Sequence, residues 1–325
     1  VIGALASLLS PAGRRARLQI LIFHRVLAQP DPLFPGETDA ARFDRICGWV
    51  RRWFKVLPLD EAVQMRAEGR LPARALSITF DDGYADNHDV ALPILRRHGL
   101  TACFFIATGY LGGGRMFNDG VVELVRRSTL PQLPLDGLPL SIPGALPLGD
   151  LPARRAAITT LIDALKYRPV AERLEFVRVL QARAGVEALP DDLMMRPDQV
   201  VALHGAGMQI GAHTVTHPIL ARLSAEEARA EIERSKAVLE EMLGRRVGLF
   251  AYPNGRPGTD YDADSVRLVR QAGFDAAVST AWGSNRADTD TFQLARFTPW
   301  DRTRARFGAR LLVNLRREPA LLASE

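Results

Sequence analysis

The sequence predicts an α/β fold, a (β/α) barrel of parallel strands, and three observations carry that prediction. Short apolar, β-favouring runs alternate with helical stretches, the pattern of βαβ units and a parallel sheet. Chemistry-bearing residues fall at the carboxyl ends of several of these runs, as they do on barrel strands. The chain has 325 residues, 47% of them hydrophobic. That is enough for one large core, so one barrel-type domain with an insertion is expected rather than two equal domains.

The first strand is the apolar run at 18–26, which ends in His24-Arg25. A helix over 40–53, a short strand at 56–57 and a helix over 60–68 follow it. The run 75–80 is a strand ending on Asp81-Asp82-Gly83. A helix over 87–98 closes at Gly99, and a strand spans 101–107. Residues 208–212 read as a short strand running into His213. Ser224-Ala225-Glu226-Glu227 is a capping-box start to a helix that stops at Gly244. A strand over 247–252, a helix near 264–271 and a strand over 275–279 complete the alternation. Between 112 and 197 the pattern breaks. The Pro- and Leu-rich stretch 130–150 around Asp136-Gly137 suggests a hairpin, followed by helices over 152–167 and 170–184. The division expected is an N-terminal segment (1–17), the barrel (18–301, with an insertion at about 113–197) and a basic tail (302–325). The insertion is expected over the carboxyl-end face, either shaping substrate access or only packing on itself. Met116 to Asp119 are candidates to reach the cleft, and Trp282 and Trp300 to stack on a sugar ring, although each fits simple packing equally.

The decisive residues are His213-Thr214-Val215-Thr216-His217 and Thr79-Phe80-Asp81-Asp82-Gly83. Two imidazoles four residues apart can close on one metal ion from a single face of a helical turn. The carboxylate pair can supply a third ligand and a base. Two His and one carboxylate leave positions open for water, which points to metal-assisted hydrolysis. Asp82-Gly83 also reads as an ordinary turn, but a turn does not account for two adjacent acids at a strand end.

With these motifs the chain resembles the polysaccharide deacetylases of carbohydrate esterase family 4. Thr79 to Gly83 matches the first motif of that family and His213 to His217 the second. Phe250-Ala251-Tyr252-Pro253-Asn254-Gly255 resembles the third. The resemblance implies a distorted (β/α) barrel of about seven parallel strands. It further implies that Asp82, His213 and His217 bind a divalent metal, that Asp81 is the general base, and that a backbone N–H at Asn254 helps to hold the oxyanion. Zinc suits these ligands best, and cobalt, nickel or iron could also occupy them.

Two departures stand out. The third motif in many relatives opens with an Arg that orients the base, whereas Leu249-Phe250-Ala251 offers none, leaving Arg256 or Arg296 as substitutes. The family commonly places its acid, a His, after the third motif, yet His217 is the last histidine here. The first strand resembles the opening of biofilm-polysaccharide deacetylases with permuted motif order, so the acid is assigned to His24. A strand-end histidine bonded to a nearby carbonyl is the competing reading. His88, His98 and His204 lie in helical stretches and read as structural.

The function expected is hydrolysis of the acetamide of an N-acetylated amino sugar in a glycan or lipid-linked saccharide. Alternatives are a deformylase or amidase acting on another small amide, and an inactive carbohydrate-binding relative. An acid and a base together predict activity that falls at both pH extremes. Cys47 and Cys103 read as buried free thiols. Of 42 basic residues only Lys55, Lys166 and Lys236 are lysines, and the net charge is +5. There is no nucleic-acid module, so no nucleic-acid partner is expected. Arg14, Arg15, Arg17 and the arginines after 301 concentrate charge at both ends. The tail is read as a solvated helix packed on the barrel, with peripheral membrane contact as the alternative. No signal peptide or spanning segment is read, and a cytoplasmic location is expected.

Overall fold

The structure is a computed structural model that describes residues 1–140, 142 and 144–322. Ser141 and Pro143 of the hairpin region, and residues 323–325 of the tail, lie outside the described residues. Seven of the nine described strands form one curled, wholly parallel sheet. In spatial order they are β1 (Gln19–Phe23), β3 (Ala75–Phe80), β4 (Cys103–Ile106), β7 (Gln209–Ala212), β8 (Leu249–Ala251) and β9 (Ala276–Val278). The seventh, β2 (Lys55–Val56), pairs with the start of β3. Every residue of β1 and β3 is buried, as expected where a parallel sheet is covered on both faces. Leu76, Ile78 and Phe80 of β3 face the helices, while Ser77 and Thr79 alternate to the other face. On that inner face Ile20, Cys103, Phe105, Leu249 and Val278 fill the lumen.

The sheet continues past β9 through a seam at residues 294–297. Leu294 bridges Val278 and Phe297 bridges Leu21. Phe297 N donates to Ile20 O at 2.8 Å, and Ile22 N donates to Phe297 O at 3.1 Å. This seam, which no strand prediction covered, links β9 back to β1.

The helices α2 (Ala40–Trp53), α3 (Leu59–Ala67), α9 (Ala225–Leu243) and α10 (Ala263–Gln271) fall within a residue or two of expectation, and α8 (Pro197–Gly205) leads into β7. In α2, Phe43, Ile46, Cys47 and Val50 form the buried stripe. Both Cys47 and Cys103 are free and buried. The helix expected over 87–98 is instead a π turn (Asn87–Ala91) leading into α4 (Leu92–His98). Pro93 explains the difference, because it has no N–H to give the carbonyl four residues back, and the wider turn removes the clash. The N-terminal segment forms a helix that the sequence reading did not include, α1 (Ile2–Leu9), packed against α2 and α11 (Arg304–Arg316). No described helix is long and apolar enough to cross a membrane.

The insertion has its own core. The helices α5 (Phe117–Arg127), α6 (Leu151–Leu165) and α7 (Val170–Arg183) bury Val121, Leu124, Leu161 and Leu180, and the small hairpin β5 (Gln132–Pro134) and β6 (Ala145–Pro147) adds Leu133. It meets the barrel at the carboxyl end of β3. Ala85 N donates to Leu193 O at 2.8 Å, Met195 N donates to Gly83 O at 2.9 Å, and the Tyr84 hydroxyl donates to Asp119 at 3.0 Å. Met116 and Asp119 are therefore buried supports. His98 pairs with Asp44 at 2.7 Å, His88 with Asp89 at 2.8 Å and His204 with Arg245 at 3.3 Å, all outside the site described next.

Candidate metal centre

Asp81 and Asp82 leave the end of β3 in opposite senses. Asp81 continues the strand, its N–H donating to Phe23 O at 2.9 Å, so its side chain points into the barrel. Asp82 has a φ of 76° and Gly83 a φ of 90°, which turns the chain sharply. Gly83 serves a second purpose, since a Cβ there would press on Ile106 at 3.3 Å. Asp82-Gly83 is thus a turn, and the turn is what separates the two carboxylates.

Asp82 Oδ1 lies 3.4 Å from His213 Nε2 and 3.3 Å from His217 Nε2. The three ligand atoms fall within 4.8 Å of one another. Ligand atoms about 2.0–2.1 Å from a tetrahedrally held ion stand roughly 3.3–3.4 Å apart, which the two contacts to Asp82 reproduce. Asp82 Oδ1 is buried and has no hydrogen-bond partner, a costly state for a carboxylate unless a cation completes it. The donor set therefore fits a divalent metal. His213 Nδ1 lies 2.7 Å from the carbonyl of Ala251 in β8. A carbonyl only accepts, so Nδ1 carries the proton and the lone pair of Nε2 faces Asp82. Burial pushes the His217 imidazole down to about 4, which leaves it neutral and competent as a ligand. Burial also acts to lower His213, but the charges of Asp81 and Asp82 outweigh it and raise it overall.

The two histidines do not share a face of a helical turn. Residues 213–217 form an irregular loop with Thr214 at φ 64° and His217 at φ 54°. Glu231 of α9 holds this loop by accepting from Val215 N and Thr216 N, both at 2.8 Å, and from the Thr216 hydroxyl at 2.7 Å. The spacing is right, but the left-handed residues and an external carboxylate produce the convergence.

Asp81 is kept out of this triad by Arg296. The guanidinium donates to both carboxylate oxygens, at 2.6 and 2.7 Å, and to the Ser279 carbonyl at 2.8 Å. Arg296 is fully buried and sits on the closing seam, so of the two arginines considered it is the one that holds Asp81. Arg256 is exposed. Burial alone would raise the Asp81 carboxyl, but the Arg296 charge, helped by His213, holds it below its usual range. Phe105 lies 5.8 Å beneath the guanidinium. Its ring occupies space left by Gly211, where a Cβ would come within 2.4 Å.

His24 stands at the end of β1, beside β3, with its ring exposed. Its backbone is pinned: Asn87 Nδ2 donates to His24 O at 2.8 Å, and Asp86 accepts from Arg25 Nε at 2.8 Å and from Val26 N at 3.0 Å. The ring is near enough for its charge to act on Asp81, Asp82 and His217. Asn254, at φ 58°, accepts through its carbonyl from the Thr280 hydroxyl at 2.9 Å. Its N–H donates to no described group.

Set against known proteins, residues 68–129 and 154–277 match the family model for polysaccharide deacetylase. The chain belongs to the polysaccharide deacetylase family. This is a family of hydrolases acting on amide bonds of N-acetylated sugars, and the chain is a hydrolase of that type. It is 20% identical over 283 residues to YxkH of Bacillus subtilis (strain 168), which carries a polysaccharide deacetylase designation, covering 86% of this chain and 71% of that protein. Over 99 residues it is 30% identical to the poly-beta-1,6-N-acetyl-D-glucosamine N-deacetylase of Staphylococcus aureus, a match spanning 30% of this chain and 33% of that one. The structure of the Streptococcus pyogenes deacetylase PplD in complex with acetate superposes with a TM-score of 0.60 at 18% identity, covering 92% of this chain and 98% of PplD. IcaB from Ammonifex degensii gives 0.58 at 18% identity with the same coverage. At these identities the two structures establish the barrel fold.

Proposed function

We propose that this polysaccharide deacetylase is a divalent-metal-dependent N-deacetylase that hydrolyses the acetamide of an N-acetylated amino sugar within a glycan or lipid-linked saccharide. The observation that carries the reading is the division between adjacent carboxylates: Asp82 faces two imidazoles, while Asp81 is clamped by Arg296. Asp82, His213 and His217 would hold the ion, which supplies Lewis acidity toward water and the amide carbonyl. Zinc best matches two imidazoles and a carboxylate.

Asp81 acts as general base. Held ionised by Arg296, it takes one proton of the attacking water as the water oxygen bonds to the acetyl carbon. The free N–H of Asn254 donates to the developing oxyanion, a contact whose loss typically costs roughly 3 kcal/mol of barrier. As the carbon–nitrogen bond breaks, His24 gives its proton to the departing nitrogen, leaving acetate and the free amino sugar. Its exposure suits this role, since the leaving group belongs to a saccharide approaching from solvent. The test is acetate release from a panel of N-acetylated and N-formylated amino sugars, with metal content measured on the same sample. Metal-dependent acetate release is expected. Formate release alone, or metal binding without turnover of any substrate, would refute the proposal.

A further inference from the structure

A groove of about 560 Å³ runs beside α11, lined by Trp282, Phe297, Asp301, Arg306, Arg310 and Arg317 and by none of the residues of the candidate metal centre. The stretch 302–317 contains six arginines and no acidic residue. Among the described residues only one of the six, Arg310, has an ion pair, to Asp301 at 2.8 Å. Arg317 lies over the Trp282 ring at 5.4 Å, and Trp282 meets Trp300 at 4.9 Å with planes inclined by 57°. Trp300 is 57% exposed and Val313 67%. Its lining residue Phe297 follows Arg296 on the closing seam and packs into the main hydrophobic core.

We propose that this groove binds an anionic saccharide segment, a sugar bearing a carboxylate or phosphate, and so acts as a secondary glycan site of the deacetylase. An excess of guanidinium over carboxylate selects an anion. The exposed Trp300 indole, which packs against the groove residue Trp282, offers a flat apolar face suited to the C–H face of a pyranose ring. A concave site of this volume matches a small ligand better than a flat lipid surface. The choice of a saccharide rests on the deacetylase reading, whereas the preference for an anion does not.

The test is binding to the metal-loaded full chain, followed by indole fluorescence. The probes are a neutral N-acetylglucosamine oligosaccharide, an oligosaccharide of equal length containing a uronic acid, inorganic phosphate, and phosphatidylglycerol vesicles. The acidic oligosaccharide is expected to bind about tenfold tighter than the neutral one. That preference should vanish in R306Q/R317Q, persist in D82N, and leave turnover of a small N-acetylated monosaccharide unchanged in R306Q/R317Q. Equal binding of the two oligosaccharides, or a preference that survives R306Q/R317Q, would overturn the proposal. Phosphate matching the acidic oligosaccharide, or vesicles binding where oligosaccharides do not, would also overturn it. Acid-selective binding without acetate release from any substrate would uphold the groove and sink the deacetylase reading.

Discussion

At the ends of β3 and β7 the functional side chains are enclosed and partnered: Asp81, Asp82 and His213 are 2%, 7% and 1% exposed. At the end of β1, His24 projects toward solvent, and only its backbone is held, through Asp86 and Asn87. The first region is preorganised by burial, so each carboxylate can have a different fixed partner. The second is positioned but open. On the proposed mechanism, a base and ligands that work in a low-dielectric pocket gain from the first arrangement, and an acid that must meet a solvent-borne leaving group needs the second.

The sharpest way to break this contrast is at the open end. His24→Ala should lower kcat by about 10²–10⁴-fold, the usual worth of a general acid, with metal content and thermal stability unchanged. Near-normal turnover would remove the open region from the mechanism. Arg296→Met addresses the enclosed end. It leaves a buried carboxylate without its counter-charge, so denaturant unfolding should show a loss of about 3–5 kcal/mol together with a fall in kcat. A variant as stable as the parent would mean that burial does not fix Asp81. The smallest effect is expected at Glu231→Ala, which frees the loop carrying His217. Metal affinity should drop about 10–100-fold in a competition titration with a chelator, and an unchanged affinity would show that the loop holds its shape unaided.

Legibility in the sequence follows the same contrast. The strands bearing contiguous motifs, the alternation with helices and the clustering of Asp82 with the two imidazoles were readable because each motif packs its residues into five consecutive positions at a strand end. Arg296 could be named only as one of two candidates, for it meets Asp81 across 215 residues of chain, on a seam whose pairing consists of isolated bridges. Glu231 carries no local signal, being one acid among several on α9. The π turn was hidden behind a good helical pattern, although Pro93 marked the place where the regular ladder fails. The histidine pair had the right spacing for the wrong backbone, since positive φ at Thr214 and His217 is a tertiary outcome that spacing alone does not report.

Metal stoichiometry of purified Asp81→Asn and Asp82→Asn, measured side by side, tests the central division of labour most directly. Asp81→Asn should retain about one equivalent of metal and lose turnover, whereas Asp82→Asn should lose the metal, because removal of one of three ligands leaves only two imidazoles. Loss of metal from Asp81→Asn with retention in Asp82→Asn would contradict the assignment of the two carboxylates.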